Sequence, residues 1–192
     1  MKNRYFLMRH GESQANKQRL IISDPATGCK LYGLTAKGRE QAKESVAKSG
    51  LSKHTIIVSS DFARARETAR IAQDTLRSPE IVLRQGLRER FFGKLEGRPT
   101  DEYGKVWAHD DVDSLNTPFG AESPRYLAHR LCKVVSDLED QHEGAFILLV
   151  SHGDPLRFLQ LRMANRDLTE HGKIRHFAPA EIRPLEKLVV CQ

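Results

Sequence analysis

Short apolar runs alternate along this chain with longer amphipathic stretches, and that alternation leaves few folds open. Arg4 to Met8 precedes helical periodicity from Thr35 to about Lys48, and Thr55 to Val58 precedes a second helical pattern from Asp61 to Arg77. Glu80 to Leu83 leads into a polar region and then a helix from Ser123 to about His142; Ala145 to Val150 is followed by a helical stretch from Pro155 to Met163. Phe62, Ala65, Ala69, Ala72 and Leu76 keep the spacing of one helix face, as do Leu127, Leu131, Val134, Val135 and Leu138. Ser123 before Pro124 reads as an N-cap with proline at the first helical position, and Asp61 reads as the N-cap of its own helix. The expected fold is an α/β three-layer sandwich: a mostly parallel central sheet with helices on both faces, and Glu181 to Val190 as a late edge strand. With 192 residues, no fixed-period repeat and no Gly/Ser-rich linker, residues 1–192 read as a single domain at about 150 residues per domain.

The charge balance adds little by itself. Lys and Arg number 31 against 25 Asp and Glu, a net charge of +6, but the basic residues are interspersed, which favours local anion pockets over a nucleic-acid-binding arm. Only 7% of residues are aromatic, with no stacking strip for single-stranded nucleic acid. Cys29, Cys132 and Cys191 form no C-x-x-C pair and leave an odd thiol, so neither a disulfide framework nor a cysteine-based metal site is expected, and a reducing compartment fits. The longest apolar run, Ala145 to Val150, falls far short of the ~18 residues a membrane helix needs, and Met1 to Met8 lacks a signal-length apolar stretch. The expectation is a cytoplasmic protein with neither nucleic acid nor membrane as a partner. Nothing in the pattern bears on oligomeric state.

Ligands of open α/β sheets bind beyond the carboxyl ends of the strands, so the residues after each apolar run carry the functional information. After Leu7-Met8 come Arg9-His10-Gly11-Glu12-Ser13; after Ile57-Val58 come Ser59-Ser60-Asp61-Phe62-Ala63-Arg64-Ala65-Arg66; after Leu149-Val150 come Ser151-His152-Gly153. Two histidines and at least two arginines therefore gather at one edge. Guanidinium forks match phosphate oxygens, a helix N-terminus adds N–H donors, and an imidazole can attack phosphorus. Each glycine after a histidine is expected to allow close approach of ligand and backbone. A single His-Gly after a strand is common; the pair together with the arginines is what points to phosphate chemistry. Spacing does not separate Arg64 from Arg66, since both fall in the first turns of one helix.

The blocks Arg9-His10-Gly11-Glu12-Ser13 with Asn16, Leu34-Thr35-x-x-Gly38-x-x-Gln41-Ala42, Ser59-Ser60-x-x-x-Arg64-Ala65-x-x-Thr68-Ala69, Leu87-Arg88-Glu89 leading to Gly93-x-x-Glu96-Gly97, Gly120-Ala121-Glu122-Ser123 and Val150-Ser151-His152-Gly153 occur in that order. In this the chain resembles the histidine phosphatase superfamily, which includes cofactor-dependent phosphoglycerate mutases and small phosphatases, over nearly its whole length. The resemblance implies that His10 is a nucleophile taking up the phosphoryl group, with Arg9, Arg64, His152 and Asn16 forming the phosphate pocket and Gly153 beside it. It selects Arg64 over Arg66, makes Glu89 the general acid and then base, and requires neither metal nor cofactor. It also implies a phosphatase acting on a small phosphorylated metabolite such as a sugar phosphate. The mutases carry a long insertion in the interval that here runs only from Arg90 to Gly120, and a shielding tail for which 192 residues leave no room. They place a substrate-binding tyrosine where this chain has Phe92, and a Phe-Thr-Gly-Trp stretch where it has Leu20-Ile21-Ile22-Ser23. Asp154-Pro155 departs from the common Gly-Gly form after His152-Gly153.

Several residues have plainer readings. Glu89 lies in the string Arg88-Glu89-Arg90, where an exposed ion pair of little worth is the ordinary expectation. Arg66 and Arg70 read as solvated or rim residues, Glu12 as a brace for its loop, and Glu122 as a helix-start carboxylate. His109, His129, His142, His171 and His176 have no metal-ligand spacing and read as surface residues. Gly33-x-x-x-x-Gly38 lacks the Lys-Ser/Thr of a P-loop, having Arg39-Glu40. Asp111-Val112-Asp113 does not follow an apolar strand and reads as an acidic loop. Neither Cys29 nor Cys132 has an arginine six positions on, which excludes a cysteine phosphatase. Besides the mutase alternative, a basic module that binds phosphorylated ligands without turnover would use the same pocket.

Overall fold

A computed structural model of the chain describes residues 1–186. Strand β1 (Arg4–Arg9) leads through two short helices, α1 (Gln14–Gln18) and α2 (Pro25–Gly28), into α3 (Ala36–Ala47), and then β2 (Ile56–Ser59), α4 (Ala63–Leu76) and β3 (Val82–Leu83) follow. A long connection carries α5 (Tyr103–Asp110) before α6 (Pro124–Gln141), β4 (Phe146–Ser151), α7 (Gly153–Met163) and β5 (Ile182–Pro184). The five strands form one sheet in the order β3-β2-β4-β1-β5, parallel except for β5, which runs antiparallel to β1. The α/β sandwich with a mostly parallel sheet read from the alternation is the observed fold.

Pleating explains why the central strands are apolar without interruption. Tyr5 and Leu7 of β1 and Ile147 and Leu149 of β4 enter a core built with α6 and α7; Met8, Leu148 and Val150 enter a second core with Ala42, Val46, Ala65, Ala69 and Ala72 of α3 and α4. Successive side chains point to opposite faces, so a strand covered on both sides must be apolar at every position. Small residues along α3 and α4 let those helices sit close to the sheet. Among the described residues no helix is long and apolar enough to cross a membrane.

The boundaries differ from expectation where a side chain finds a better partner. Asp61 does not cap α4: Phe62 holds the N-cap position without a side-chain bond, and the Asp61 carboxylate takes two hydrogen bonds from Arg88, at 2.8 and 2.6 Å. Helix α7 starts at Gly153, two residues before the expected Pro155, which is accommodated in the first turn, where its missing N–H costs nothing. Ser123 caps α6 as expected. The late edge strand is confined to Ile182–Pro184, and the remainder of Glu181 to Val190 beyond residue 186 lies outside the described residues.

The polar connection between β3 and α6 has a small core of its own, in which Ile21, Phe92, Leu95, Val106 and Ala121 are packed together. Lys105 to Asp110 belongs to α5, and Asp110 is fully buried against an equally buried Arg90, whose Nη2 donates to it at 2.8 Å. The acidic-loop reading holds for Asp111 and Asp113, which are exposed, while the neighbouring Asp110 is drawn inward by its ion pair. His171 is buried too, stacked on Phe158 at 5.0 Å, contrary to the surface reading. Glu122 accepts two bonds from Arg130, at 2.6 and 2.8 Å, so an ion pair across α6 governs it rather than the helix dipole.

The loop after β1 rests directly on the start of α3. A Cβ on Gly11 would lie 2.2 Å from the Gly38 carbonyl oxygen, and one on Gly38 would lie 2.0 Å from the Glu12 carbonyl oxygen. Gly11 therefore serves backbone against backbone, where closeness to a ligand was expected. Glu12 braces this junction, its carboxylate accepting from Thr35 Oγ1 at 2.9 Å and from Lys37 at 3.0 Å. Alanine in place of glycine inside a helix ordinarily stabilises by up to about 1 kcal/mol. Gly38→Ala is expected to do the opposite, destabilising by about 1–3 kcal/mol in urea unfolding because the contact leaves no space for a methyl group; a variant as stable as the parent would contradict the packing described.

Candidate active site

Register brings the motif residues together. Arg9 pairs with Ser151 across β1 and β4, and Ser59 pairs with Val150 across β2 and β4. His10, Ser60 and His152, each one residue beyond its strand, therefore emerge side by side at the carboxyl edge of the sheet. The backbone N–H of His10 bonds to Ser151 O at 3.0 Å, and that of Ser60 bonds to Val150 O at 2.9 Å. Arg64 enters from the first turn of α4, and Thr68 one turn later accepts from Gly11 N at 3.1 Å, holding helix and loop together.

The hydrogen bonds assign the ring protons. His10 Nδ1 lies 2.8 Å from the Gly11 carbonyl oxygen, which can only accept, so Nδ1 carries the hydrogen and Nε2 the lone pair. That Nε2 accepts from Arg64 Nε at 3.0 Å. The same Arg64 Nε donates to His152 Nδ1 at 3.2 Å, which places the hydrogen of His152 on Nε2, where it donates to Ser60 Oγ at 2.9 Å. Two neutral imidazoles, their ring centres 5.1 Å apart, thus turn lone pairs toward one guanidinium. Burial first, and next the charge of Arg64, hold both histidines well below the usual imidazole range.

Donors here exceed acceptors. Arg64 Nη2 bonds to Ile22 O and Arg9 Nη1 to Phe177 O, but Arg64 Nη1 and Arg9 Nε are buried without a hydrogen-bond partner. Buried guanidinium nitrogens left unsatisfied are costly, and an anion with several oxygens would satisfy them. Gly153 opens α7 beside them; a Cβ there would stand 4.0 Å from Arg9 Nε.

Glu89 faces the same space, its Oε2 lying 3.8 Å from Arg64 Nη2 and 3.9 Å from His152 Nδ1. It is not part of an exposed charge string: Arg88 is bound to Asp61, Arg90 is bound to Asp110, and the Glu89 side chain is 10% exposed. Burial raises its carboxyl to about 7 against the pull of Arg64, with the charge of Asp154 adding to the rise. Asn16 is placed differently from the rest. Its Oδ1 accepts from both N and Oγ of Ser13, closing the capping box of α1, so its carbonyl is committed to the loop.

Three residues around the site were not assigned a role from sequence. Ser60 fixes the His152 tautomer, and its position in the second strand loop was the available signal. Tyr103, stacked at 5.1 Å on Trp107, is held above its usual range mainly by burial and next by the charge of Glu89. Asp154 is buried and accepts from Trp107 Nε1 at 2.9 Å, so the departure from Gly-Gly installs a buried carboxylate whose charge helps to raise Glu89. Among the described residues no group of three or more His, Cys, Asp or Glu is arranged to hold a metal ion.

The chain is 31% identical over 175 residues to a 2,3-bisphosphoglycerate-dependent phosphoglycerate mutase of Parvibaculum lavamentivorans, covering 85% of this chain and 80% of that protein. It is 29% identical to a metal-independent phosphoserine phosphatase of Arabidopsis thaliana, covering 82% and 67%. Among solved structures, Bacillus stearothermophilus YhfR superposes with a TM-score of 0.81 at 26% identity, over 96% of this chain and 91% of that one. Entamoeba histolytica phosphoserine phosphatase in complex with 3-phosphoglyceric acid superposes with a TM-score of 0.75 at 28% identity, over 95% and 89%. The model of branch 1 of the histidine phosphatase superfamily matches residues 5–187, and the chain belongs to that family.

Proposed function

We propose that this single-domain protein is a metal-independent phosphatase that hydrolyses a small phosphomonoester, such as a sugar phosphate, through a phosphohistidine on His10. The observation that carries the reading is the pair of tautomers: His10 presents an unprotonated Nε2 to a space where buried Arg64 and Arg9 nitrogens lack acceptors. In the first step the Nε2–P bond forms as the P–O bond to the alcohol breaks, and the proton of Glu89 passes to the leaving oxygen. In the second, Glu89 takes a proton from water, the water oxygen bonds to phosphorus, and the P–Nε2 bond breaks to release phosphate. Arg9, Arg64 and His152, with Asn16 and Gly153 at the rim, hold the equatorial oxygens as charge spreads over them.

Hydrolysis is favoured over phosphoryl transfer between substrates by the Arg90 to Gly120 interval. Phe92 is packed in the small core, where it offers a substrate no hydroxyl, and Arg90 is consumed by Asp110. A mutase must retain a doubly phosphorylated intermediate, and this interval supplies few uncommitted cations to hold one.

Wild-type protein is expected to hydrolyse p-nitrophenyl phosphate in excess EDTA, and His10→Ala is expected to lose at least about a thousandfold in kcat. Rapid quench should trap an acid-labile phosphoryl group on the peptide containing His10; label on Ser13 or Ser59 would overturn the nucleophile assignment. The acid role of Glu89 requires its protonated form, so turnover of esters with poor leaving groups should fall as pH rises through about 7. Glu89→Gln should slow such esters by about 10²-fold or more and p-nitrophenyl phosphate much less, since nitrophenolate needs little protonation. Equal losses on both substrates would remove Glu89 from the acid role.

A further inference from the structure

Beside the phosphate pocket lies a groove of about 560 Å³ with Glu89 in its wall, bounded by Gln85 to Phe91 on one side and Gly120 to Arg130 on the other. Its size is that of a small-ligand site. If Glu89 protonates the leaving oxygen, the rest of the alcohol extends from that carboxylate, and this groove is the space that adjoins it. The groove's cations are committed. Arg88 donates through Nε and Nη2 to the two oxygens of Asp61, and Arg130 is bound by the two oxygens of Glu122 and by the carbonyls of Gly86, Arg88 and Glu89. Its exposed apolar surface is aromatic: Tyr126 is 64% exposed and Phe91 is 39% exposed, one on each lip. The lips are joined at their base by the Glu122 N–H, which donates to Phe91 O at 2.8 Å.

We infer that this groove is the leaving-group subsite and that it selects phosphomonoesters of uncharged alcohols with a flat or apolar face, such as a hydroxylated ring or an aryl group, over those bearing a carboxylate. The inference rests on the phosphatase reading above and specifies its substrate class. A carboxylate here would surrender its hydration with no uncommitted guanidinium in the groove to receive it, whereas an aromatic or sugar face packs on Tyr126 and Phe91 without losing hydration of a charge. The relatives named for phosphoglycerate and phosphoserine act on carboxylated esters, so the groove marks a divergence in substrate within a shared phosphate pocket.

The test is equilibrium binding to His10→Ala, with His10→Asn as a second background should the first not fold, by calorimetry with glycerol 3-phosphate, 3-phosphoglycerate and phenyl phosphate. The first two differ by a hydroxymethyl group in place of a carboxylate. Glycerol 3-phosphate should bind at least about tenfold tighter than 3-phosphoglycerate, because the carboxylate loses hydration that no free cation of the groove replaces. Adding Tyr126→Ala should weaken phenyl phosphate several-fold and leave glycerol 3-phosphate unchanged; adding Glu122→Gln, which frees the Arg130 charge, should narrow the glycerol phosphate to phosphoglycerate gap. Equal or tighter binding of 3-phosphoglycerate would overturn the inference, as would an unaltered pattern in both added variants. Binding does not depend on turnover, so wild-type protein that shows these preferences yet releases no phosphate would sink the phosphatase reading and leave the groove's selectivity standing.

Discussion

The Nε–H of Arg64 is directed between two imidazole nitrogens, His10 Nε2 at 3.0 Å and His152 Nδ1 at 3.2 Å, and the arrangement of the site follows from that shared donor. A guanidinium is always protonated, so it dictates lone pairs on both facing nitrogens. The outer nitrogens are then settled by what lies behind them, a backbone carbonyl for His10 and a serine hydroxyl for His152. For one donor to reach both rings, the loops after β1 and β4 and the first turn of α4 must agree in position within a fraction of an ångström. Parallel pairing of β1, β4 and β2 in fixed register supplies this agreement, since a slip by one residue would turn a histidine to the other face of the sheet.

Burial gives these groups their chemistry. Imidazoles in water share protons with solvent near neutrality; here burial and two arginines keep them unprotonated, while a carboxyl a few ångströms away is raised to about 7 by the same dry surroundings. An unprotonated imidazole and a raised carboxyl are thus set apart by environment at neighbouring positions. The expense is seen in the orphaned donors of Arg64 and Arg9, which the fold tolerates because the cores on the two sheet faces supply the stability.

The groove beside the site is built from a different part of the chain by different means. The connection between β3 and α6 has its own small core and its own buried ion pair, Arg90 with Asp110, so it holds its shape independently of the two cores on the sheet faces. Two further pairs, Arg88 with Asp61 and Arg130 with Glu122, neutralise the cations that border the groove. A basic excess of charge thereby leaves a groove lining with little free positive charge.

The alternation of apolar and amphipathic segments by itself determined the α/β sandwich, and the residues following the apolar runs determined that histidines and arginines meet at one sheet edge. Both are local properties: pleat, helical spacing and the position just past a strand end can be read from neighbouring residues. The reading of Asp61 as a helix cap, of Glu122 as a dipole partner and of His171 as a surface residue failed for a common reason. A polar side chain takes the best partner within reach, and for these three the partner or the packing comes from far along the chain or across a helix: Arg88, Arg130 and Phe158. The proton positions on His10 and His152, the isolation of Glu89 from its flanking arginines and the commitment of the groove's cations were decided only by the tertiary structure. Each depends on distances between residues remote in sequence and on exclusion of water, and neither quantity exists until the chain has folded.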